Sequence, residues 1–245
     1  GEIQMARNNL MTAAKSFQQL IAAHPDTNHY HDAISKQYEI GDLYYAKGEQ
    51  LAPKRFRLFK KRPFKRAAEV YTMVVDNQPF TPEAAEAQYK IGLCHYARKE
   101  YIDAAFEYQR VVEDYAASDW VNDASYGLAL CRYKASLPSE YDQTPGELTI
   151  AAIDDFVGRY PEDERVGDLQ GKRIEIRESI AQQRLDTARF YEKRREYPAA
   201  KLYYEMLAND FTDTKASEEA VNWLNAHDGV KHVGNKYAEG IRASL

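Results

Sequence analysis

Six tyrosines fall into three pairs, each seven residues apart: Tyr38 and Tyr45, Tyr89 and Tyr96, Tyr126 and Tyr133. Seven residues is nearly two helical turns, so each pair shares one helix face. Tyrosine combines rigid apolar area with a polar tip at low entropic cost, which suits recognition of an extended or helical peptide. Aromatics at helical spacing also serve as plain packing between elements, and both uses stay open.

A second chemistry lies in KRFRLFKKRPFKR, residues 54–66. Lys54, Arg55, Arg57, Lys60, Lys61, Arg62, Lys65 and Arg66 make it basic, with no acidic residue and with Phe56, Leu58, Phe59 and Phe64 interleaved. Basic plus aromatic character suits an anionic membrane surface, or an acidic partner. It equally fits a solvated loop stapled down by its phenylalanines. The chain as a whole has a net charge of −5, which argues against nucleic acid as a general partner.

Other reactive types form no recognisable constellation. His24, His29 and His31 gather with Asp26 and Asp32, but without a defined zinc spacing. Cys94 and Cys131 share one repeat slot and read as free, buried and structural. No phosphate-binding loop, dinucleotide fingerprint, zinc-protease helix or nucleophile elbow is present. The expectation is therefore no catalytic residue, no metal and no cofactor.

The elements that position these residues are repeats. Five stripes carry the apolar offsets of an amphipathic helix. They run Ala13-Phe17-Leu20-Ile21, Ala67-Tyr71-Val74-Val75, Ala104-Tyr108-Val111-Val112, Thr149-Ile153-Phe156-Val157 and Ala200-Tyr204-Leu207-Ala208. Pro25, Pro79 and Pro161 mark stops after three of them. Three further helices precede stripes two to four, at 37–45, 88–96 and 125–133. Each holds a small residue, Gly41, Gly92 or Ala129, where a neighbour must come close. With 12 glycines and 9 prolines in 245 residues, turn-rich all-β folds are disfavoured. No apolar run is long enough to span a bilayer.

The helix-turn-helix unit resembles the tetratricopeptide repeat, with Ile91-Gly92, Ala104 and Tyr108 in the signature slots and Gln37, Gln88 and Ser125 in the tryptophan slot. The expected fold is all-α, an α-solenoid of about five such repeats. The resemblance implies that the first-helix slots held by Tyr38, Tyr45, Tyr89, Tyr96, Tyr126 and Tyr133 face a peptide-binding groove. Repeats one to three occupy 1–135, with the first helix of repeat one truncated and a basic insertion at about 48–63. Repeats four and five occupy 136–245, with a long helix at 163–194 and a closing helix at 215–226. The spacing Tyr45 to Ala67, against Tyr96 to Ala104, makes the insertion 14 residues long.

The Asp142-Gln143 loop, the Phe156…Tyr160-Pro161 ending and the stretch Ala188…Phe190-Tyr191…Tyr197…Ala200 resemble the BamD family of outer-membrane β-barrel assembly lipoproteins. That resemblance implies a non-enzymatic scaffold on the periplasmic face of the outer membrane, lipid-anchored through a residue outside this chain. It implies BamA-like periplasmic domains and unfolded outer-membrane proteins as partners. The alternatives are a soluble periplasmic coordinator of envelope processes, similar to CpoB-type proteins, and a cytosolic protein-interaction adaptor.

Overall fold

The structure, a computed structural model, describes residues 1–51, 61–136 and 144–230. The regular elements among the described residues are all helices: α1 (Glu2–Ala6), α2 (Leu10–Ala23), α3 (Tyr30–Leu51), α4 (Lys61–Asn77), α5 (Pro82–Arg98), α6 (Tyr101–Asp114), α7 (Val121–Ser136), α8 (Thr144–Arg159), α9 (Val166–Lys193), α10 (Tyr197–Asp210) and α11 (Lys215–Ala226). The five stripes fall on α2, α4, α6, α8 and α10, and the chain is an all-α protein of tetratricopeptide-like helix pairs. Two compact units are formed, one of residues 1–135 with 154–163, the other of 136–153 with the chain from Glu164 on.

In the first unit a small residue of each first helix meets an aromatic ring of the second. A Cβ built on Gly41 would come within 2.6 Å of the Tyr71 ring, and one on Gly92 within 2.6 Å of the Tyr108 ring. Only glycine lets those backbones approach so closely. Gly1 stands in the same relation to Phe17, at 2.3 Å. The short α1 therefore supplies the small slot of repeat one. Repeat two has a second lock, Gly48 against Phe64 at 2.7 Å, with Tyr45 edge-on to the same ring at 5.4 Å. The insertion expected at about 48–63 is thus helical at both described ends, where α3 runs to Leu51 and α4 begins at Lys61.

The tryptophan slot of the repeat is polar here, and the structure supplies the reason. Gln37 is fully buried. Its amide nitrogen donates to Ala14 O at 3.2 Å and to Gln18 Oε1 at 2.8 Å, and its oxygen accepts from Asn77 Nδ2 at 3.0 Å. One side chain thereby ties α2, α3 and α4 together. Gln88 is also fully buried and donates to the Glu107 carboxylate on α6. Leaving the Gln37 amide unpaired would cost about 1–3 kcal/mol, so its partners specify which helices sit side by side; the Gln88 oxygen has no partner among the described residues.

The turns inside repeats one, three and five share one conformation. Asn8, Lys99 and Arg195 have φ of 59°, 61–65° being the range of the other two. Each stands five residues before its stripe alanine, Ala13, Ala104 or Ala200. One left-handed residue lets α5 reverse into α6 with Lys99 N bonded to Tyr96 O at 2.9 Å and Glu100 N to His95 O at 3.0 Å.

In the second unit α10 packs on α9, and α11 covers α10. Trp223 of α11 stacks on Tyr204 of α10 at 4.4 Å and on His227 at 4.1 Å. Arg184 of α9 is nearly buried, with its guanidinium 4.7 Å from the centre of the Phe211 ring and 3.4 Å from Asp210 Oδ2. The long helix expected over 163–194 is present from Val166 to Lys193. Nothing lies within 4 Å of a Cβ on Gly167 or Gly171, and the helix continues through both.

Candidate docking faces on the first three repeats

All six paired tyrosines are half-buried. α3 carries Tyr38 and Tyr45, α5 carries Tyr89 and Tyr96, and α7 carries Tyr126 and Tyr133. Most lean on an aromatic of a neighbouring helix. Tyr38 meets Tyr71 edge-on at 5.7 Å, and Tyr96 meets Tyr101 at 5.6 Å. Tyr89 stacks on Trp120 at 5.0 Å, and Tyr126 lies 5.9 Å from Phe156. Burial pushes the Tyr45 and Tyr96 phenols up to about 12. These rings hold helices together, and what remains exposed is one edge of each.

Tyr38 differs in its surroundings. It borders a cavity of about 470 Å³ whose other walls include Ile34 and Ser35 of α3, Thr81, and Glu83 and Glu86 of α5. Its hydroxyl is enclosed beside the Glu86 carboxylate, without a hydrogen bond of ordinary geometry to any described residue. Burial, with the neighbouring Glu86 carboxylate, raises its pKa above the ordinary range. Lys90 Nζ sits 4.6 Å over the Tyr38 ring and 2.8 Å from Asp42 Oδ1, and Asp42 also accepts from the Tyr71 hydroxyl at 2.6 Å. The ring is held by this Lys90–Asp42–Tyr71 cluster, and its hydroxyl is enclosed beside Glu86. The cluster was not anticipated from the sequence, because its members are 19 and 29 residues apart or more and share no motif.

Four residues of the expected basic surface lie on α4: Lys61, Arg62, Lys65 and Arg66. Lys54, Arg55, Arg57 and Lys60 lie outside the described residues. Phe64 is buried at 4% exposure and serves as a staple on α3, not as an outward apolar group. Lys47 of α3, absent from the expected set, joins Arg62 and Arg66 around a cavity of about 270 Å³. Its signal is its place one residue before the lock glycine Gly48.

Cys94 and Cys131 are free and fully buried, and burial pushes both thiols up to about 12. In the His24–Asp32 loop, His29 Nδ1 and Asp32 Oδ2 lie 3.7 Å apart on the exposed surface. A denser group stands at the α5–α6 turn, where His95, Glu100 and Asp103 converge. Arg98 Nη2 already holds Glu100 Oε1 at 2.9 Å, so that carboxylate has its own counter-cation.

Comparison with known proteins matches residues 49–233 to the YfiO family, described as outer membrane lipoprotein, and residues 1–27 to a tetratricopeptide repeat. The chain belongs to the YfiO outer membrane lipoprotein family. Among its curated relatives is the outer membrane protein assembly factor BamD of Caulobacter vibrioides, 23% identical over 155 residues, covering 63% of this chain and 51% of that protein. The chain spans about half the length of this relative. YfiO-family membership accords with the helix pairs described above. Among the described residues no helix is long and apolar enough to cross a membrane.

Proposed function

We propose that this chain is a non-catalytic scaffold of outer-membrane protein assembly. It binds extended segments of unfolded outer-membrane proteins on the first helices of repeats two and three. Its partner is the periplasmic part of a BamA-type subunit, and a lipid anchor outside these residues holds it at the periplasmic face of the outer membrane. The division of labour follows the two halves, with 1–135 meeting substrate and 136–245 meeting the BamA-type subunit.

One observation carries the peptide-binding part. Tyr38 forms part of the wall of a cavity bounded by α3 and α5, with its hydroxyl enclosed beside the Glu86 carboxylate. A peptide carbonyl reaches the hydroxyl once the Glu86 side chain moves aside, and then accepts a hydrogen bond worth about 1 kcal/mol. Family membership carries the assembly role.

The test is fluorescence anisotropy with labelled peptides ending in aromatic residues. Tyr38→Phe removes only the hydroxyl and leaves the ring on Tyr71. Losing a hydrogen bond worth about 1 kcal/mol weakens binding about fivefold. Unchanged affinity in Tyr38→Phe, with peptide still bound, would return Tyr38 to packing alone. Tyr89→Ala is a poorer probe, since Tyr89 also stacks on Trp120.

A further inference from the structure

At the end of the α3–α4 helix pair marked by Leu51 and Lys61, Lys47, Arg62 and Arg66 surround a cavity of about 270 Å³ whose remaining described walls are Tyr44, Leu51 and Pro63. Arg66 is half-buried, and its guanidinium lies 5.5 Å from the centre of the Tyr44 ring, which fixes its plane. Tyr44 and Pro63 are buried and form a firm floor.

Among the described residues these cations lack counter-ions. None of Lys47, Lys61, Arg62, Lys65 and Arg66 forms an ion pair or side-chain hydrogen bond among the described residues, whereas Lys36, Lys90, Arg98, Arg110, Arg177 and Arg189 all do. The nearest acidic residues in sequence, Glu49 and Glu69, are exposed and pair with none of them. Residues 52–60 contain no acid in their sequence, so no carboxylate can come from there. Four like charges at the start of α4, with Lys47 near the end of α3, repel one another. Such a group is stabilised by an anion that two guanidinium forks and an ammonium can share, which is the geometry of phosphate recognition.

We propose that this cavity is a binding site for the phosphate of an anionic lipid headgroup. The choice of lipid over other phosphates rests on the membrane role proposed above, and on the apolar floor of Leu51 and Pro63, which suits the carbon-rich side of a phosphodiester. The site is offered by the tip of the repeat, away from the Tyr38 cavity, so the two can be tested separately.

The experiment is co-sedimentation of the full chain with vesicles of 30% phosphatidylglycerol in phosphatidylcholine, and with pure phosphatidylcholine. The expected result is binding to the first and not to the second. Lys47→Gln with Arg62→Gln removes two of the lining charges and weakens binding by more than the roughly thirtyfold that any two basic residues contribute at an anionic surface. Lys61→Gln with Lys65→Gln removes as much charge beside the cavity and weakens it clearly less. Equal losses in the two double variants would overturn the site and leave a diffuse basic surface. Binding of inorganic phosphate that depends on Lys47 and Arg62, without vesicle binding, would overturn the lipid assignment. Binding of an acidic peptide such as polyglutamate in place of vesicles would overturn it too. Helicity by circular dichroism checks that each variant folds. Co-purification with a BamA-type partner, run on the same variants, is expected unchanged. Its absence in the unmodified chain would count against the scaffold reading and not against this site.

Discussion

Adding a methyl group at Gly41 sets two known effects against each other. Alanine is favoured over glycine inside a helix by about 1 kcal/mol. The new Cβ would lie 2.6, 2.8 and 3.0 Å from three atoms of the Tyr71 ring. That ring is fully buried, and its hydroxyl is held 2.6 Å from Asp42 Oδ1, so it has no room to swing aside. Overpacking of this kind costs about 1–3 kcal/mol, which leaves Gly41→Ala destabilised by up to about 2 kcal/mol. Gly171→Ala in α9 meets nothing within 4 Å and is expected to gain about 1 kcal/mol from propensity alone. The assay is urea unfolding followed by circular dichroism and by fluorescence. Trp120 and Trp223 stand one in each compact unit, so single-tryptophan backgrounds assign each change to its unit. Equal stabilisation by both substitutions would refute the close seam between α3 and α4 on which the repeat geometry rests.

Three further outcomes are expected. Tyr45 and Tyr96 have phenols pushed up to about 12 in the folded chain, above the unfolded value of about 10. Their burial therefore contributes stability that is complete below about pH 10 and is lost as pH rises toward 12, so the urea midpoint is flat from about pH 7 to 9.5 and falls beyond; a flat profile at pH 11.5 would show these rings to be solvated. Lys99→Gly relieves a left-handed backbone at φ 65° and raises stability by about 1 kcal/mol in the same urea assay, whereas a loss would mean that the turn does not adopt this conformation. Cys94 and Cys131, both fully buried with thiols pushed up to about 12, resist a disulfide-exchange reagent at about pH 8 and react once urea is added; rapid reaction of the folded chain would contradict their placement.

The second helices were legible because each carries a complete apolar stripe, such as Ala104-Tyr108-Val111, that needs only its own sequence to be seen. First helices were visible where a small residue stands between tyrosines, as at Gly41 and Gly92. What escaped was settled by contacts across helices. Gln37 reads as a poor match to the repeat signature, yet its amide joins three helices through Ala14, Gln18 and Asn77. Lys99 and Arg195 carry no turn signature of their own, since any residue can be forced left-handed by the helices on either side. At the candidate sites, the tyrosine periodicity located the right faces. It could not separate Tyr38, which borders a cavity beside Glu86, from Tyr89, which is committed to stacking. The basic run was visible in full, but Lys47 joins it only through the folding of α3 against α4.

The double lock of repeat two bears on how such a chain can change length. Gly41 and Tyr71 are separated by 30 residues, while Gly48 and Phe64 are separated by 16, the same as Gly92 and Tyr108. The 14 additional residues therefore count as seven in each arm of the hairpin. An α-helix extended by seven residues turns its contact face by only about 20°, whereas four more residues would turn it by about 40°. Growth in steps of seven per arm keeps the contact faces toward each other while moving the tip outward by about 10 Å. The rest of repeat two can then keep its neighbours unchanged, and new chemistry can be placed on the added length at little cost to the core beneath it.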